Sequence, residues 1–151
     1  MKKFQFTLDR IKQYRIQLEE MEKNDLAALR AELALLHEQE KKIKADISDK
    51  TEEVRRIYRR GAYPNEIAVA NRFLTQKKQE LELKRGEIAN KNLEIERKLE
   101  EVLEATKEVK KLEKLEEHQL EEYHEQEIKE NESFIEEFFG GKTRVAEVEY
   151  Q

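Results

Sequence analysis

Residues 67–109 read IAVANRFLTQKKQELELKRGEIANKNLEIERKLEEVLEATKEV, and within them Ile67, Leu74, Leu81, Ile88, Ile95, Val102 and Val109 stand seven apart. A straight α-helix completes a turn in about 3.6 residues, so a column held at seven drifts around its surface. The column stays buried only if the helix supercoils around another helix. The stretch therefore predicts one strand of a coiled coil. Pro64, the single proline, and Gly61, the first glycine, stand just ahead of it. The expected partner is then the first half of the chain. The expected fold class is all-α, a long two-helix antiparallel coiled-coil hairpin with helix two overhanging.

Working outward, helix one is expected over residues 7–60, with Thr7 capping its first turn and Phe6 and Ile11 as a hydrophobic staple. Its seam reads Ile11, Leu18, Leu26, Leu29, Leu33, Leu36, Ile43, Ile47, Val54 and Ile57. The long step from Leu18 to Leu26 reads as a stutter. Residues 61–65 form the bend: Gly61 suits a left-handed helix end, Pro64 forbids continuation and Asn65 can cap the next helix. Helix two is expected over 66–139, stopped by Gly140 and Gly141, with a mobile tail over 140–151. The whole chain, 1–151, is one hairpin.

A short bend sets the numbers of paired residues to add to about 124, which places Glu40 opposite Lys84 as a charge pair that fixes register. The second core column of helix two is lysine: Lys77, Lys84, Lys91 and Lys98. Lysine stems can lie along a seam while the ammonium reaches water, which suits two strands and not a larger bundle. A protein monomeric on its own is expected.

Composition narrows the function classes. The 151 residues are 43% charged and 37% hydrophobic, with no cysteine and no tryptophan. That is too little bulk for a compact core, and no disulfide framework or thiolate metal site can form. Residues 113–137 hold eleven Glu against two Lys, a balance of −9 within a chain whose net charge is −5. This division favours a protein partner, and no nucleic-acid partner is expected. The first residues, Met1-Lys2-Lys3-Phe4, lack the apolar run of a signal peptide, and no run of about 18 apolar residues suggests a membrane span.

Candidate chemistry is sparse. Gly140-Gly141-Lys142-Thr143 resembles the end of a phosphate loop, but Glu136 stands where the full pattern needs glycine. His118 and His124 are six apart and share no helical face. Carboxylate pairs abound, yet shifting a pKa for catalysis needs a concave, partly dry site that two helices lack. The expectation is no enzyme, no cofactor and no metal.

Two clusters stand out as binding candidates. Arg55, Arg56, Arg59 and Arg60 lie just before the bend, where they either complement the carbonyl end of helix one or dock an acidic protein surface. All eleven aromatics fall towards the two ends of the hairpin: Tyr58, Tyr63 and Phe73 at the bend, and Phe4, Phe6, Tyr14, Tyr123, Phe134, Phe138, Phe139 and Tyr150 at the open end. Interfaces favour aromatic anchors, so two ring-rich ends joined by a plain spacer describe a connector. The alternative is a chaperone-like or RNA-binding helical arm.

Three stretches carry a family resemblance: Phe4-Gln5-Phe6-Thr7-Leu8 through Tyr14-Arg15, Glu66-Ile67 with Arg72-Phe73-Leu74, and residues 111–123. Together they resemble the FliJ family of flagellar export proteins. The resemblance implies an antiparallel coiled coil similar to the stalk of the rotary ATP synthase. It implies a cytoplasmic component of the flagellar type III export apparatus, peripheral at the inner membrane. The implied partners are the flagellar export ATPase, the export gate membrane protein and export chaperones. Carried onto this sequence, the gate would be met at the bend by Ile57, Tyr58, Phe73 and Leu74. The ATPase ring would be met at the open end by Phe4, Phe6, Tyr123, Phe134 and Phe138.

Overall fold

A computed structural model describes the backbone of residues 2–149 and the side chains of residues 2–140. Two helices account for nearly all of it: α1, Asp9–Arg60, and α2, Pro64–Glu149. They form an antiparallel hairpin. No helix among the described residues is long and apolar enough to cross a membrane.

The reversal is made as the glycine and proline dictate, with a shorter connection than expected. Gly61 sits at φ +93°, a conformation that costs an L side chain strain. Its amide donates to the carbonyl of Tyr58 at 3.4 Å. α2 begins at Pro64 and not at Glu66, because the carbonyl of Tyr63 already accepts from the amides of Glu66 and Ile67 at 3.1 and 3.3 Å. Proline at the first helical position loses no hydrogen bond. Asn65 therefore lies inside the helix instead of capping it. Arg60 bridges the reversal to Glu66 at 2.9 Å.

The other helix boundaries also depart from expectation. α1 starts at Asp9, with the amide of Asp9 donating to Phe6 and that of Lys12 to Leu8. Thr7 lies in the turn before it, and Asp9 places negative charge in the first turn. The staple does not form as drawn, since Phe6 is buried while Ile11 is 49% exposed. α2 continues through Gly140 and Gly141 to Glu149. Glycine in a helix costs about 1 kcal/mol relative to alanine, and it ends one only where the left-handed conformation is adopted. Of the expected tail, Tyr150 and Gln151 lie outside the described residues, as do the side chains from Gly141 onward.

By its contacts the hairpin divides into two units, Glu20–Glu104 and Met1–Glu19 with Ala105–Gln151. In the first, Leu26, Ala70, Ile88 and Val102 are buried, and Leu29, Leu33, Leu36, Ile43, Ile47, Leu74, Leu81 and Ile95 are half-buried. The seam is narrow, as two strands require. Glu22 is half-buried between Leu18 and Leu26, so the seam there takes two successive steps of four, the spacing of a stutter, with a polar residue at its middle. In the second unit Val109 and Phe6 are buried, and Lys12 pairs with Glu116. From Ile128 to Gly140 every residue of α2 is exposed, the overhang expected of helix two.

Candidate functional site

Every surface this fold offers is a flank of the seam or an end of the helices. In Glu20–Glu104 the best-ordered chemistry is a ladder. Lys77, Lys84, Lys91 and Lys98 each reach across to a residue of α1: Asp46 at 3.4 Å, Gln39 at 2.8 Å, Glu32 at 2.7 Å and Asp25 at 3.7 Å. In each rung the two residue numbers add to 123, within one residue of the register expected from the bend. Each ammonium also meets the glutamate three residues on in its own helix, Glu80, Glu87, Glu94 or Glu101, at 2.7–3.2 Å. Lys98 takes Glu22 as well, at 3.0 Å.

The cause is the side of the seam that each row occupies. Asp25, Glu32 and Asp46 from α1 face Glu80, Glu87, Glu94 and Glu101 from α2, two rows of like charge that would repel. The lysine column lies between them and satisfies both. The four lysine side chains keep only 19–23% of their exposure, while most of the carboxylates keep half or more. Stems are buried and heads bridged. Hydrogen bonds that the Lys98 ammonium donates to Glu101 and Glu22 hold its pKa well above the ordinary lysine value, and the bond from Lys91 to Glu32 acts in the same way.

The expected Glu40–Lys84 pair is absent. Glu40 is held by Lys44 at 2.8 Å, which lowers its pKa, with His37 and Arg85 adding to the effect. Lys84 turns to Gln39 and Glu87. The two residues share a level but leave the seam on opposite flanks, each towards its own counter-charges. The acid ladder was legible as the seven-residue spacing of Asp25, Glu32, Gln39 and Asp46, a polar column that a search for apolar columns passes over.

At the bend the expected residues separate. Ile57 and Leu74 are half-buried in the seam. Phe73 is half-buried too, with the ammonium groups of Lys50 and Lys77 5.2 and 5.7 Å from its ring centre. That is cation–π range. Tyr58 is 59% exposed, and Tyr63 and Val69, which the resemblance did not single out, are 71% and 62% exposed. Arg55 pairs with Glu52 at 2.8 Å and Arg60 with Glu66, while Arg56 and Arg59 are exposed and make no ion pair among the described residues.

The open-end residues likewise fall into two groups. Phe4 and Tyr123 meet with ring centres 5.6 Å apart, and the Tyr123 hydroxyl donates to the carbonyl of Lys2. With buried Phe6, these rings tie the N-terminal segment to α2, so Phe6 is not open to a partner as expected. Phe134 and Phe138 are exposed and stack one helical turn apart, their ring centres 6.5 Å from each other, with Phe139 edge-on to Phe138. Among the described residues no three His, Asp or Glu side chains gather as a metal would need.

These surfaces define an antiparallel two-helix coiled coil with binding chemistry on its flanks and ends. Comparison with protein-family models, with curated proteins and with solved structures returned no match.

Proposed function

We propose that this chain is a non-enzymatic coiled-coil component of the flagellar type III protein export apparatus, linking the export ATPase ring to the membrane export gate and to export chaperones. It would act in the cytoplasm, peripheral at the inner membrane. The observation that carries this reading is the placement of exposed rings, Tyr58 and Tyr63 at the bend and Phe134 and Phe138 on the overhang, with no aromatic residue between 15 and 57 or between 74 and 122. The resemblance of residues 4–15, 66–74 and 111–123 to the FliJ family points the same way. Coupling would be mechanical and allosteric: the hairpin binds some states of the ring better than others and so biases them.

The test is the ATPase rate of a flagellar export ATPase with and without this protein, together with sedimentation of the mixture. Stimulation with ring assembly is expected. No effect and no co-sedimentation overturns the reading. Tyr58→Ala, at an exposed position, is expected to keep full helicity and weaken binding to the gate protein. The exposed site makes it a cleaner probe than Phe73→Ala or Leu74→Ala, which also disturb the seam.

A further inference from the structure

The flank of Glu20–Glu104 opposite the ladder carries the reverse charge. Lys23, Arg30, His37 and Lys44 stand seven apart on α1, and Lys78 and Arg85 stand seven apart on α2. All six are exposed. Within one residue of the register of the ladder, Lys44 falls opposite Lys78 and His37 opposite Arg85. The carboxyl of Glu40 feels Lys44, His37 and Arg85 together, which places these groups around one point. Arg85 also reaches Glu82 along its own helix at 3.2 Å.

The two flanks solve the same problem differently. On the acid flank a column of lysines runs between the like-charged rows. On the basic flank only Glu40 lies between them, and Arg30, His37 and Lys78 make no ion pair among the described residues. Where the α2 column runs out of charge, Leu99 and the nearby Leu103 are 40% and 54% exposed. The result is two basic rows, Lys23, Arg30 and Lys44 with His37 among them on α1, and Lys78 with Arg85 on α2, with an apolar step at one end.

We propose that this flank docks an acidic α-helix of a partner protein, whose carboxylates recur every seven residues and enter between the two rows. A helix repeats its face every seven residues at about 10.5 Å, the spacing of the cations themselves. A nucleic acid fits less well. Its charges are closer together, Glu40 and Glu82 would stand among its phosphates, and residues 15–57 hold no Phe, Tyr or Trp on which a base could stack. The docking stands apart from the export reading and does not depend on it.

The probe is a fluorescently labelled helical peptide of about four heptads with Glu on one face at seven-residue spacing, titrated into the full chain at low salt. Two double variants separate the flank from overall charge. Arg30→Glu with Lys78→Glu reverses the basic flank, and Lys42→Glu with Arg97→Glu makes the same charge change elsewhere on exposed positions of the same unit. The peptide is expected to bind, to weaken by about tenfold or more with the first pair and to keep its affinity with the second. Circular dichroism confirms that both variants fold, and Arg30→Ala with Lys78→Ala serves if the reversal unfolds the chain. Absence of binding overturns the proposal, as does equal loss with both pairs. A single-stranded RNA of similar length that binds more tightly through the same residues also overturns it.

Discussion

The two flanks of one seam show how a chain with 43% charged residues can be both held together and left with something to offer. On one flank, two rows of carboxylates share four half-buried lysines, and each ammonium has a counter-charge on its own helix. On the other, Lys44 faces Lys78 and His37 faces Arg85, with Glu40 between them. Exposed ion pairs contribute little individually, so the ladder matters less as a sum of bonds than as the reason the acidic rows can face each other at all. The basic flank has no such spine, and its residual field is directed outward.

The largest effect should come from the seam that both flanks share. Ile88→Ala removes one of the few buried side chains and should cost about 2–3 kcal/mol, the low end for a large-to-small change because a narrow seam can partly collapse. Urea unfolding with constant slope measures it. A loss under about 1 kcal/mol would mean that charge and not apolar burial holds this level together.

Next, one chemical change should act with opposite sign on the two flanks. Lys91→Gln removes the bridge between Glu32 and Glu94 and should lower the melting temperature at low salt, with the deficit shrinking as salt is added. Lys78→Gln relieves repulsion from Lys44 and should leave the melting temperature unchanged or slightly higher. Equal destabilisation by both would erase the distinction between the flanks.

Acid should weaken both flanks together. Glu40 and Glu101 are held below the ordinary carboxylate range by Lys44 and Lys98, so their contribution is complete at neutral pH and is lost as pH falls through and below that range. Lys77, Lys91 and Lys98 have raised pKa values and stay charged, so their contribution disappears only as pH climbs past the ordinary lysine value. Helicity at low salt is therefore expected to fall between neutrality and about pH 3, and helical signal unchanged over that interval would contradict the ladder. The smallest change is Gln39→Glu, which completes the acidic row opposite Lys84 but adds repulsion from Glu87; it should move stability by no more than about 0.5 kcal/mol.

The apolar heptad of residues 67–109, the glycine and proline of the bend, and their spacing were enough to read a two-helix antiparallel hairpin and its register to within one residue. They are local signals, set by helix period and backbone sterics, and tertiary contacts had no reason to override them. The helix ends were less legible. Asn65 and Gly140 both carry signals for a cap or a stop, but each acts only if the backbone leaves helical geometry at that residue, and it does not; Thr7 lies in the turn two residues ahead of the first helical residue, Asp9. The candidate sites were legible as clusters and not as surfaces: Phe4, Phe6 and Tyr123 pack inward and Phe134 outward, although all four are aromatic and near one end.

By itself, then, the sequence determined the fold class, the reversal and the pairing level, because periodicity and turn chemistry are written along one chain. Only the tertiary structure decided which flank each charge takes. Glu40 and Lys84 share a level yet part to opposite sides, because a side chain at the edge of a seam follows the field of two rows, and the second row belongs to the other helix.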